Sequence, residues 1–263
     1  MDKALLVGIN DYVYAEQLDG CLNDVSDMKA FLISHCGFQD TEIVFKILTD
    51  SEATKVNVLQ GLDWLINEIH SGDKILFYYS GHGACVSEDS TNHEVICTID
   101  FNGLKIHNGI WDTDFKRIFE SVPNGVEFIW ISDSCYSGGL LPDDFKPTAK
   151  IKTMRLSKNT NTLLLKNNSM LGITGSVIGM NVVLISSCSS DMESVSDRFN
   201  GRYNGVLTYY LLEELKSPFG LQMSLINLIN NINSNIAKAG YGQVTQLEGS
   251  EEIKNKSFLT TQV

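Results

Sequence analysis

Short apolar runs alternate along this chain with stretches whose apolar residues recur every three or four positions. The run KALLVGIN at 3–10 is too short for a helix and reads as a buried strand ending in Gly and Asn. Leu22, Val25, Met28 and Leu32 then recur at helical steps, with Gly37 as a stop. Thr54 is placed to cap a second helix that sets Val56, Leu59, Leu62, Leu65 and Ile69 on one face. KILFYYS (74–80), EVICTID (94–100) and VEFIWIS (126–132) read as three further buried strands. DTDFKRIFESV (112–122) reads as a helix with acids in its first turn, where they favour the dipole. The first 140 residues thus run β-α-α-β-β-α-β, and buried parallel strands with crossover helices are the natural way to pack them.

The pattern breaks after that. From Phe145 to Ser190 there is no Asp or Glu in 46 residues, while Lys146, Lys150, Lys152, Arg155, Lys158 and Lys166 fall there. Residues 145–176 read as a long basic loop, which is either functional or an insertion draped over an acidic surface. Regular patterning returns with a strand at NVVLISS (181–187) and helices at GVLTYYLLEEL (205–215) and SLINLINNINSNIAKAG (224–240), the last with Gly240 as its stop. The tail offers a turn at Glu248–Ser250 and a short final strand near Phe258. No repeat of 20–50 residues is present.

Composition adds exclusions. With 263 residues, 43% hydrophobic and 20% charged, the chain can bury a substantial core as an ordinary globular protein. No run approaches a membrane span, and the start reads as a strand rather than a signal peptide, so a cytoplasmic location is expected. The six cysteines form no CxxC pairs, which points to free thiols in a reducing compartment. The net charge of −12 argues against nucleic-acid binding and favours basic partners or substrates; without the basic stretch the remainder carries about −18.

Candidate chemistry sits at two strand ends. His82 in YYSGHG and Cys135 in ISDSCYSGG each follow an apolar strand and stand among small residues. Sites in open α/β sheets collect at the carboxyl ends of strands. A thiol whose proton an imidazole accepts, with backbone N–H donors nearby, suffices for acyl transfer. Gly81, Gly83, Gly138 and Gly139 would let a substrate backbone approach closely. A lone Cys is more often a small core residue and a lone His more often structural; the matched placement of the pair outweighs that.

SGHG and DSCYSGG after apolar strands resemble the caspase-related cysteine peptidases, in particular the metacaspases and their prokaryotic relatives. LLVGIN and LDGCLNDVSDM are similar to the family's opening strand and first helix, VLISSCSSDMESVS and NGVLTYYLLEEL to its small-subunit half, and TQLEGS to its closing segment. The Gln-Ala-Cys-x-Gly pentapeptide of animal caspases is absent, and Tyr136 stands where family members often have His. The resemblance implies an α/β caspase-haemoglobinase-like three-layer fold, with a mostly parallel central sheet flanked by helices. It implies one peptidase domain over 1–263: a large-subunit-like half (1–144), a basic inter-half loop (145–180) and a small-subunit-like half (181–263). It implies Cys135 as nucleophile, His82 as general base and acid, and the N–H groups of Cys135 and Gly83 as oxyanion hole.

The same resemblance builds the pocket for the residue before the cut from Asp24, Ser80 and Asp133; Asp191 and Glu193 in the SSDMES stretch are further candidates for that pocket or a neighbouring one. Two carboxylates favour Arg, then Lys. Each acid alone is as readily a strand-end or helix-end group bonded to backbone. Arg155, then Lys152 and Lys158, become candidates for self-cleavage of a zymogen. The chemistry requires no cofactor. A calcium site like that of many metacaspases would draw on Asp100, Asp112, Asp114, Asp143 and Asp144, although Thr113 breaks the adjacent acid pair and a helix N-terminus explains Asp112 and Asp114 equally well.

The expected function is a cysteine endopeptidase cutting after Arg or Lys. The alternatives are a catalytically silent caspase-fold interaction module, which a lost dyad or pocket residue would signal, and an acyl or thioester transferase, which the acidic pocket disfavours. Expected partners are proteins or peptides with exposed Arg or Lys and a separate activating protease or regulator, with no nucleic acid and no membrane. The family resemblance implies a monomer, and the minimal build a bacterial or archaeal source.

Overall fold

A computed structural model describes residues 1–88, 91–102, 106–134, 150–151, 182–187 and 194–259. Six strands form the central sheet. They are β1 (Lys3–Gly8), β2 (Phe45–Thr49), β3 (Lys74–Ser80), β7 (Glu127–Asp133), β9 (Val182–Ser186) and β12 (Gln246–Glu248), in the spatial order β12-β9-β7-β3-β1-β2. All neighbours are parallel except β12, which runs antiparallel to β9.

The central strands are apolar without alternation because both faces are covered. Leu5, Val7, Phe77, Phe128, Trp130 and Leu184 face one helical layer. That layer is α2 (Lys55–Ile66) and α3 (Asp112–Phe119). Ala4, Leu6, Leu76, Tyr78, Ile129, Ile131 and Ile185 face the other, made by α1 (Cys21–His35), α4 (Val206–Leu215) and α5 (Leu225–Lys238). The result is the expected three-layer α/β arrangement. Gly37, at φ 77°, follows α1, a backbone geometry that suits glycine after a helix. Thr54 caps α2 as expected, its hydroxyl accepting the Asn57 N–H.

Several expectations are corrected. The buried stripe of α2 is Val58, Gly61, Leu62 and Leu65, while Val56 is 61% exposed and Ile69 lies beyond the helix. The strand read at 94–100 is not in the central sheet. It is β5 (Thr91–Ile96), the middle of a small antiparallel sheet with β4 (Gly83–Glu88) and β6 (Ile110–Trp111). Only Gly81 and His82 separate β3 from β4, far too few residues for a parallel crossover. β2 has no counterpart in the sequence reading, since only Phe45 of its five residues is buried.

Near the C-terminus β12 and α6 (Glu251–Lys254) replace the simple turn, with Ser250 capping α6. Among the described residues no final strand forms. Phe258 is fully buried, and an isolated bridge joins Ser257 to Ser224. Within the stretch read as a loop, β8 (Lys150–Ile151) pairs with β10 (Val195–Phe199), which pairs in turn with β11 (Arg202–Gly205). Arg155, Lys152, Lys158, Asp143, Asp144, Cys135, Gly138, Gly139, Asp191 and Glu193 lie outside the described residues. No described helix is long and apolar enough to cross a membrane. Cys21, Cys36 and Cys97 are buried and outside any disulfide, and burial pushes Cys36 up to about 12 and Cys97 well above the usual range.

Candidate active site

The carboxyl ends of β1, β3, β7 and β9 converge on one polar region. Ser80 ends β3 and Asp133 ends β7, and the two are register partners. His82 is 1% exposed, two residues beyond β3. Its Nε2 lies 2.7 Å from the Glu16 carbonyl oxygen. That oxygen can only accept, so Nε2 carries the proton and the lone pair of the neutral ring falls on Nδ1. The side of the imidazole able to take a proton is thereby fixed by a backbone contact.

The backbone around His82 is equally determined. Its carbonyl accepts the Cys97 N–H at 3.0 Å, so His82 and Cys97 form a hydrogen-bonding position of the β4–β5 hairpin. Gly83, opposite Ile96, is the next position, where N–H and C=O point away from the partner strand. The Gly83 N–H therefore faces outward from the hairpin. Gly81 has a different reason from the one the sequence suggested. A Cβ there would sit 2.5 Å from the Tyr79 hydroxyl and 2.6 Å from the Tyr12 hydroxyl. The position is filled by tyrosine oxygens, not kept open for a substrate.

Asp24, Ser80 and Asp133, brought together by the fold, are all fully buried. Asp24 Oδ2 accepts the Ser80 hydroxyl at 2.8 Å, and Oδ1 accepts the Asn204 amide and the Gly205 N–H, each at 2.9 Å. Asp133 Oδ2 accepts the Thr208 hydroxyl at 2.7 Å and its N–H at 3.1 Å, and Oδ1 accepts the Ser194 hydroxyl at 2.9 Å. Tyr78, 2.6 Å from the Thr208 hydroxyl, links to the same network. Burial first, then the Asp24 and Asp133 charges, push the Tyr78 hydroxyl well above its ordinary range. Every contact named here on either acid is a donor, as buried carboxylate oxygens require. The arrangement concentrates negative potential beside a histidine with a fixed proton acceptor.

Of the acids expected to hold calcium, the three within the described residues have other partners. Asp100 accepts the Lys55 N–H at the start of α2. Asp112 pairs with His93 at 2.9 Å and accepts the Thr113 N–H. Asp114 accepts the Trp111 N–H and pairs with Lys55 at 3.2 Å. Among the described residues no group of three or more His, Cys, Asp or Glu side chains could hold a metal.

Asn204, Gly205, Thr208 and Ser194 were not among the expected site residues; all lie more than sixty positions after Asp133. Tyr12, Tyr79 and Glu16 were not among them either. Tyr79 looks like one more strand residue, and Glu16 acts through its carbonyl, which no side-chain pattern reports.

A three-layer sheet with a polar, histidine-bearing cluster at its strand ends defines the caspase-like class, and solved structures agree. A Geobacter sulfurreducens protein (GSU0716) superposes over 98% of both chains with a TM-score of 0.71 at 20% identity. Caspase-1 from Spodoptera frugiperda covers 94% of this chain and 86% of its own, with a TM-score of 0.58 at 12% identity. Residues 2–144 match the metacaspase, peptidase C14 domain, and the chain belongs to the metacaspase family of cysteine peptidases. Metacaspase-1 of Scheffersomyces stipitis is 30% identical over 94% of this chain and 70% of that protein. Metacaspase-1 of Coccidioides immitis is 30% identical over 95% of this chain and 62% of that protein. Metacaspase-1 of Debaryomyces hansenii is matched over 64% of its length, so the chain spans only about two thirds of these relatives.

Proposed function

We propose that this chain is an endopeptidase that cuts after Arg, and less readily after Lys, with Cys135 as nucleophile and His82 as base and then acid. In this reading the Cys135 thiol gives its proton to Nδ1 of His82 and the thiolate attacks the scissile carbonyl. The N–H groups of Gly83 and Cys135 hold the oxyanion. His82 then protonates the leaving amine, and water hydrolyses the thioester by the same route in reverse. The outward N–H of Gly83 and the Nε2–H tautomer of His82 both support these roles.

The observation that carries the substrate preference is the pair of fully buried carboxylates, Asp24 and Asp133, joined to Ser80 beside His82. A cationic side chain entering this field gains Coulomb energy that an acidic one loses. Asp191 is proposed at the rim of the same pocket. Processing in the basic stretch at Arg155, Lys152 or Lys158 would fit a zymogen in a cytoplasmic setting with the chain working as a monomer. Calcium, if it acts, would draw on Asp143 and Asp144 more readily than on Asp100, Asp112 and Asp114, whose oxygens serve the fold.

The test is hydrolysis of matched peptides ending in Arg, Lys or Asp by wild type and C135A, with calcium or chelator. Arg cleavage, weaker Lys cleavage and a C135A variant without turnover are expected. Equal cleavage after Arg and Asp would overturn the pocket assignment, and full activity in C135A would overturn the nucleophile. Activity unchanged by chelator would remove calcium from the account.

A further inference from the structure

Two buried tyrosines hold the main chain of His82 from both sides. Tyr12 lies in the segment between β1 and α1, and Tyr79 is the penultimate residue of β3; both are at most 3% exposed. The Tyr12 hydroxyl accepts the His82 N–H at 2.9 Å and donates to the Cys97 carbonyl at 2.9 Å. The Tyr79 hydroxyl lies 2.6 Å from the His82 carbonyl, 2.9 Å from the Cys97 carbonyl and 3.0 Å from the Tyr12 oxygen, so both hydroxyls meet at the Cys97 carbonyl.

These contacts change the hairpin. At a hydrogen-bonding position two residues normally exchange two backbone bonds. Here one rung is ordinary, from the Cys97 N–H to the His82 carbonyl. The other runs from the His82 N–H through the Tyr12 hydroxyl to the Cys97 carbonyl. An oxygen has been inserted into the ladder at the residue that carries the imidazole. The Tyr12 ring also packs on that imidazole, with centroids 4.6 Å apart at 52°. The same segment supplies the Glu16 carbonyl that fixes the Nε2 proton. Asn10 fastens it at its base, its side chain accepting the Cys21 N–H and its carbonyl accepting the Tyr12 and Leu18 N–H groups.

We propose that Tyr12, supported by Tyr79, is a positioning residue for His82: its hydroxyl replaces a rung of the β4–β5 ladder and so sets the direction in which the imidazole leaves the sheet. The inference rests on the peptidase reading for its consequence in catalysis, but the brace itself is a property of the fold. Tyr12 becoming Phe removes the oxygen that accepts the His82 N–H, while the Cys97 carbonyl keeps Tyr79, so the ladder must close over the gap or admit water. Either response turns the ring. Burial pushes both tyrosine hydroxyls well above their ordinary range, so the brace stays protonated across any working pH.

The experiment compares Y12F and Y79F with wild type, and with Y14F as a control at an exposed tyrosine. Rates are normalised to active sites titrated with a covalent inhibitor, so that loss of folded protein does not count. The expectation is a fall in kcat of up to about 100-fold in Y12F, and less in Y79F, with KM changed by no more than about twofold. In 15N spectra of His82 the single Nε2–H tautomer of wild type should give way to exchange between tautomers in Y12F. Unchanged kcat in both variants overturns the proposal. Should Y12F fail to fold, Y79F decides by the same readouts, because it keeps the Tyr12 contact to the His82 N–H and loses the Tyr79 contacts to the His82 and Cys97 carbonyls and to the Tyr12 oxygen. Should wild type cleave nothing, the peptidase reading fails, and the spectra alone judge the brace: a tautomer kept intact in Y12F sinks it, and exchange supports it.

Discussion

Asp24 holds together parts of the chain 180 positions apart, through the Asn204 amide and the Gly205 N–H at the entry to α4. Its oxygens face only donors among the contacts given above, so D24N would turn an NH2 group toward one of them. That substitution is expected to cost about 1–3 kcal/mol of stability and to weaken the preference for Arg over an uncharged residue. Thermal unfolding alongside a peptide panel measures both; a stable D24N with Arg selectivity intact would leave the carboxylate without either role. At this scale His82, Asp24, Ser80 and Asp133 were legible because each stands in a short motif at a strand end or in the first turn of a helix. Tyr12 was not, because a tyrosine eleven positions into the chain carries no signal until the hairpin around Cys97 is placed beside it. Gly81 was read for the wrong reason, since the atoms that demand a glycine come from side chains the motif does not contain.

Among the elements, the buried strands β1, β3, β7 and β9 were legible because strands covered on both faces need unbroken apolar runs. β2 and β12 were not, being short edges with little to bury. β12 also sets a pH dependence. Glu248, on this edge strand, is pushed up to about 7 by burial, against which Lys254 of α6 pulls it down. Its folded value lies above the unfolded 4.5, so the native state binds the proton more tightly. Stability from this group is present below about pH 4.5 and is lost as pH rises towards 7. One unit corresponds to about 1.36 kcal/mol, and partial exposure reduces the full effect to about 1–2 kcal/mol. E248Q should therefore match wild type near pH 4.5 and exceed it by about that amount near pH 8 in urea unfolding, whereas a constant difference across pH would assign the effect to packing. The strand at 94–100 was misplaced for a topological reason: its apolar content fits a central strand, but only two positions separate β4 from β5, so the two pair as an antiparallel hairpin outside the central sheet.

The whole molecule draws its site from both ends of the sequence. β9 is inserted beside β7 in parallel register from Phe128–Val182 to Ser132–Ser186. The first half supplies Asp24, Ser80, His82 and Asp133, and the second supplies Ser194, Asn204, Gly205 and Thr208. That joint construction was visible only as a resemblance, because hydrophobic periodicity places strands in order along the chain and not in order across a sheet. It has a consequence for how the protein can be made. β9 is held in its place by the ladder to β7 and the shared core. Segments 1–144 and 182–263 produced from separate genes should therefore find each other, elute together at the summed mass of one copy of each, and unfold in one transition. Two independent species on the column would mean that the connecting stretch is needed for assembly. If they do associate, the molecule is in effect a heterodimer that happens to be encoded as one polypeptide, and complementation in trans becomes a way to switch it on.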